Sequence, residues 1–119
     1  AHVFVFPSFG EGFGLTPLEA IASGLVTLSS DATGMGDFIS SKTAIKLYTR
    51  KKLLDFEGGW RCQCDVVDLK DLIRSLKYVY NSYESVYNRL FPYAAKYVDE
   101  TFSWDKTADG IIDVIWGKD

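Results

Sequence analysis

Apolar and polar positions along this chain follow two rhythms. Short apolar runs predict strands at residues 3–6 (Val3-Phe4-Val5-Phe6, stopped by Pro7), at 25–29 and at 44–48. Helical spacing intervenes. Leu18, Ile21 and Ala22 predict a short helix over 16–23, with Gly24 as its C-terminal stop. Leu69, Leu72, Ile73, Leu76, Val79 and Tyr80 predict a helix over 68–82, with Asp68 as its cap. An aromatic-rich helix is predicted over 83–98, kinked or restarted near Pro92, and a last helix after Ser103 carries Ala108, Ile111, Ile112 and Ile115. Residues 49–60, with Arg50, Lys51, Lys52, Glu57, Gly58 and Gly59, predict an exposed loop or hairpin, and 61–65 a weaker fourth strand. A strand–helix–strand unit this short favours parallel pairing through a right-handed crossover. The fold class expected is therefore α/β, a parallel sheet with flanking helices and a helical C-terminus.

Composition narrows the classes. At 119 residues and 47% apolar content, the chain can bury one modest core and is not disordered. A net charge of −3 argues against a broad nucleic-acid footprint. No apolar run is long enough for a membrane span, and no secretory pattern opens the chain. The first residues already lie in a strand-like run and no initiator Met precedes them, so a piece of a larger protein is expected. Cys62 and Cys64 are one residue apart, poorly placed for an intrachain disulfide, and His2 is their only distant companion for a metal. Free thiols in a reducing, cytoplasmic setting, with no bound metal, are the expectation.

The candidate chemistry lies in Phe6-Pro7-Ser8-Phe9-Gly10-Glu11-Gly12-Phe13-Gly14-Leu15-Thr16-Pro17-Leu18-Glu19-Ala20. A strand end, a glycine loop and a helix start follow one another there. Thr16 suits an N-cap, Pro17 the first helical position, and Glu19 falls where a capping box would place it. A glycine loop feeding a helix start presents free N–H groups and the positive end of the helix dipole to an anion. Glu11 and Glu19, with seven residues between them, bracket the loop and can accept hydrogen bonds from hydroxyl groups. Amides for phosphate and acids for hydroxyls are what a nucleotide sugar requires.

Residues 11–24, Glu-Gly-Phe-Gly-Leu-Thr-Pro-Leu-Glu-Ala-Ile-Ala-Ser-Gly, resemble the E-x7-E region of retaining glycosyltransferases of the GT-B fold, the group 1 or GT4-like family. Flanking Phe6-Pro7-Ser8, the run 25–30 and Phe102-Ser103-Trp104 fit the same pattern. The resemblance implies half of a Rossmann-like, donor-binding C-terminal domain spanning 1–119. It implies Glu11 beside the transferred sugar as the catalytic carboxylate. Gly12, Phe13, Gly14, Leu15 and Thr16 would bind the donor through their backbones, and Glu19 would hold ribose hydroxyls. The donor would be a nucleotide-diphosphate sugar and no metal or other cofactor would be required. The acceptor-binding N-terminal domain would be a missing partner, without which the chain alone would be inactive. A non-catalytic nucleotide-sugar-binding module is the alternative.

Other readings compete. Glu19 could serve only as a capping-box acid. Asp31, at the end of the second strand, could mark a dinucleotide fold, but Gly10, Gly12 and Gly14 do not fit G-x-G-x-x-G. Residues 31–40, with Gly34, Gly36 and Asp37, read as a second ligand-facing loop, although they depart from the commonest form of the family. Trp60, Trp104, Trp116 and the tyrosines from 78 onward read first as core packing. Some of those tyrosines could instead face the missing domain or a membrane surface, which leaves peripheral membrane association of a full enzyme open.

Overall fold

The computed structural model describes residues 1–117. Strand β1 (Val3–Phe6), helix α1 (Leu15–Ala22) and strand β2 (Val26–Ser29) form the predicted unit, and β1 pairs with β2 in parallel, Val3 opposite Val26 and Phe6 opposite Ser29. Strand β3 keeps only Ile45–Lys46, pairing in parallel with Leu28 and Ser29. The order β1-β2-β3 makes β2 central, and all four of its residues are buried. Its polar members are satisfied: the Thr27 hydroxyl donates to the Leu25 carbonyl at 3.3 Å, and that of Ser29 to the Ser30 carbonyl at 2.8 Å. The layered α/β architecture and the helical C-terminus are Rossmann-like, as the residue pattern predicts.

Helix α1 ends as predicted. Gly24 takes φ +77°, its N–H donates to Ile21 and that of Leu25 to Ala20, which together form a Schellman motif. A side chain at 24 would also meet the Phe91 ring at 2.8 Å, so glycine is required twice over.

Helix α2 (Leu69–Asn81) is capped by Asp68, which accepts from the N–H groups of Lys70 and Asp71. Helix α3 (Tyr83–Phe102) runs on through exposed Pro92, so the restart offered as an alternative there does not occur. Helix α4 (Trp104–Trp116) follows at once, with Ser103 as its cap. One core cluster, with Leu18, Ile21, Met35, Phe38 and Val98, lies between α1, the segment after β2 and α3. A second, with Val26, Leu28, Val79, Val86 and Leu90, lies beneath α2 and the first half of α3.

The strand expected at 61–65 forms, although it does not belong to the parallel sheet. Strands β4 (Thr49–Phe56) and β5 (Trp60–Val67) pair with each other, antiparallel, as a separate arm turned at Gly58 and Gly59. Nor is packing the fate of the tryptophans: Trp60, Trp104 and Trp116 are 76%, 87% and 81% exposed. They lie on the arm and on α4, which has no buried residue. Both project, and the radius of gyration is 16.7 Å, against about 13–14 Å for a compact chain of this length. Among the described residues, no helix is long and apolar enough to cross a membrane.

Two outcomes follow. Replacing Gly24 with Ala imposes left-handed strain and displaces Phe91, which should lower unfolding free energy by about 1–3 kcal/mol in urea titrations. Asp68 is held below the ordinary carboxylate range by hydrogen bonds from Asp71 N–H, then Lys70 N–H, and by Arg50 at 2.8 Å, with partial burial opposing them. Because the folded value is the lower one, its stabilisation is complete above the unfolded value of about 4 and fades as pH falls through the folded value. Wild type and Asp68→Ala should differ in urea midpoint at pH 6 and converge near the acid end.

Candidate functional site

The glycine loop is held by contacts from within the second loop, residues 31–40, which reads in the sequence as ligand-facing. Thr33–Asp37 forms a 3₁₀ turn. The Thr33 hydroxyl accepts from Glu11 N–H at 2.7 Å and donates to the Glu11 carbonyl in a short hydrogen bond. Gly34 N–H reaches the same carbonyl at 3.4 Å. Gly34 lies so near the loop that a Cβ there would fall 2.1 Å from the Gly12 carbonyl oxygen. Thr33 holds φ +55°, an uncommon state for a β-branched residue. The clasp is the gain that goes with that strain. From the other side, Asp65 N–H at the root of the arm donates to the Phe9 carbonyl at 3.2 Å.

Helix α1 begins two residues earlier than its capping pattern predicts. Gly14 is the N-cap, at φ +91°, and Leu15 the first helical residue. Thr16 is therefore inside the first turn and the Thr16–Glu19 capping box does not form; no side chain caps this helix. The reason is packing: a Cβ at Gly14 would lie 2.6 Å from Met35 Cγ, and Met35 is wholly buried. Only a residue without a side chain can start the helix there. The first-turn N–H groups of a helix have no intrahelical partner, and Pro17 has none to offer. Leu15 and Thr16, both exposed, are the other first-turn residues that carry an N–H.

The two carboxylates have different surroundings. Glu11, half-buried, accepts from the Ser8 hydroxyl at 2.8 Å and belongs to the clasped loop. Glu19 is exposed on the flank of α1, where it lines a cleft of about 350 Å³ together with Leu15, Leu18, Thr101, Trp104 and Thr107. Glu11 is not part of that lining. Phe13 does line it, and joins Phe38, Tyr97 and Phe102 in a ring cluster beneath, with centroid separations of 5.6–6.0 Å. Gly12 is exposed beside them.

The remaining candidates have other occupations. Asp31 is bound to Lys46 at 2.9 Å, which accounts for it without a ribose. Cys62 and Cys64 are free thiols; burial first, then the Cys62 thiol, pushes the Cys64 thiol upward, away from the reactive thiolate. Among the described residues, no group of three or more His, Cys, Asp or Glu could hold a metal ion. The residues the pattern missed are Thr33, the clasp, and Thr101, Trp104 and Thr107, the far wall of the cleft. Thr33 stands beside Gly34 in a loop flagged by its glycines. Nothing in helical spacing marks the other three.

Comparison with known proteins bears on the family. A model of the family 4 glycosyltransferases in conflict systems matches residues 1–111. The serotype-specific mannosyltransferase WbdA of Escherichia coli is 49% identical over 43 residues, 36% of this chain and 5% of that protein. The glycogen (starch) synthase of Dictyostelium discoideum is 44% identical over 39 residues, 33% of this chain and 4% of that protein. The matched segments thus span about one twentieth of these relatives.

The clasp can be tested directly. Thr33→Val keeps the shape and deletes the hydroxyl. Exchange of the Glu11 amide hydrogen should accelerate by tenfold or more, on a loss of about 1–2 kcal/mol of local protection. Thr33→Ser should retain the slow exchange. Equal rates in wild type and the valine variant would remove the clasp from the account.

Proposed function

The chain belongs to the family 4 glycosyltransferases in conflict systems, and on that premise we propose that it is the donor-binding portion of a retaining GT-B enzyme. The donor is a nucleotide-diphosphate sugar and the acceptor a hydroxyl group. The observation that supports this best is the uncapped start of α1, with Leu15 and Glu19 on the wall of one cleft and Glu11 on the loop that leads into the helix. The diphosphate fits between, against the N–H groups of Gly14, Leu15 and Thr16, where the helix dipole favours negative charge.

The chemistry assigns the three parts separate work. The bond from the anomeric carbon to the donor phosphate oxygen breaks, and its electron pair leaves with the nucleotide diphosphate. First-turn amides stabilise that leaving charge as it grows. Glu11 lies beside the sugar, accepts from its hydroxyls and supports the positive charge that develops at the ring. The acceptor oxygen bonds to the same carbon on the face the phosphate leaves, and its proton passes to the departing phosphate oxygen. Glu19 takes no part in bond breaking; it holds the ribose hydroxyls. The acceptor is supplied by a second domain, so this chain alone binds donor and does not transfer.

The division of labour between the acids gives the test. Glu19→Gln should weaken nucleoside-diphosphate binding about ten- to hundredfold in calorimetry, the worth of one hydrogen bond to a charged group. Glu11→Gln should leave that affinity within about twofold and abolish transfer when an acceptor-binding domain is supplied. Binding with no transfer by the wild-type chain in that mixture makes it a binding module. No binding of UDP, GDP or ADP overturns the donor-site reading.

A further inference from the structure

The cleft beside α1 has a far wall that the donor reading leaves without a role. That wall is the junction of α3 and α4. Phe102 is anchored there: its ring packs against Phe13 at 5.7 Å, Phe38 at 6.0 Å and Tyr97 at 5.8 Å. Two residues on, Trp104 opens α4 under the Ser103 cap, whose hydroxyl accepts from Lys106 N–H at 3.3 Å. The indole is thus carried on a fixed backbone corner and yet is 87% exposed. Exposed indoles are a cost that a bound ring removes.

The lining restricts what can enter. Glu19 is its one charged side chain, so a phosphate is repelled from the cleft and is left to the amides at the start of α1. Phe13, Leu18, Val98 and Phe102 make the floor apolar, and Thr101 and Thr107 add hydroxyls near the indole. A volume of about 350 Å³ lies within the range of small-molecule sites. The ligand part that fits is neutral and flat, with hydroxyls at one end and phosphate beyond them. That order describes a nucleoside. We propose that Trp104 is the stacking platform for the nucleobase of the donor, with Glu19 on the ribose between the base and the diphosphate. The inference rests on the donor-site reading above and adds to it a residue and an orientation: the nucleoside runs along α1 toward α4, and the sugar lies on the Glu11 side.

A stacking platform tolerates any base, because every base presents a π face. Affinity should therefore depend on the indole similarly for UDP, GDP and ADP. In the full chain, Trp104→Ala should weaken all three about five- to hundredfold, by the usual worth of base–aromatic stacking. Trp104→Phe should recover most of the affinity, and inorganic pyrophosphate should bind both variants as it binds wild type. With Trp60→Phe and Trp116→Phe in place, the remaining indole reports directly, and nucleoside diphosphates should quench its fluorescence while pyrophosphate does not. Circular dichroism of the alanine variant controls for folding. Unchanged nucleoside-diphosphate affinity in Trp104→Ala, with Glu19→Gln still weakened, overturns the platform and leaves the donor site standing. A loss confined to nucleotide sugars also overturns it, because the indole would then face the sugar. Absence of nucleoside-diphosphate binding in the wild type overturns both.

Discussion

One threonine hydroxyl holds the glycine loop in shape. Thr33 takes the N–H of Glu11 and returns a hydrogen bond to the same residue's carbonyl, while Gly34 backs onto Gly12. A loop with three glycines in five positions has much freedom to lose. The clasp removes it before any ligand arrives. Met35, in the same turn, forces glycine at 14 and so sets the first residue of α1. The two loops are one unit: the turn after β2 fixes the conformation, and the loop after β1 presents the amides.

This explains why the acids diverge. Glu11 is tied to the clasped loop, whereas Glu19 follows the helix and is turned toward α3 and α4. Spacing along the sequence made them neighbours of one loop. In the folded chain only Glu19 lines the cleft beside α1.

The parts legible in the sequence are those governed by local rules. Parallel pairing of β1 with β2, the Gly24 stop and the Asp68 cap depend on a few adjacent residues and appear as expected. The start of α1 does not, because Thr16 satisfies every capping preference but the Met35 contact, made from twenty residues away, shifts the boundary. The fate of the aromatics was equally hidden. Tyr83, Tyr87 and Tyr97 pack partly as their type suggests, yet Tyr80 and all three tryptophans are exposed. Helical period shows that α2 and α4 have apolar stripes but not whether anything covers them. In α2 the buried face is Asp71, Ser75 and Val79, and Ile73 and Tyr80 are left outside. Asp71 accounts for that rotation: it accepts from Tyr48 N–H at 2.7 Å and pairs with Arg74.

The arm of β4 and β5 has a different standing from the sheet. Its strands pair with each other along their length, and β5 also reaches the rest through Asp65 N–H on the Phe9 carbonyl, near a root flanked by Tyr48 and Asp68. Lengthening or trimming it at Gly58 and Gly59 leaves every parallel-sheet bond intact. Across evolutionary time, related chains can therefore vary in size at this hairpin while the ancestral βαβ frame stays the same. The arm is where one lineage can acquire what its cousins lack.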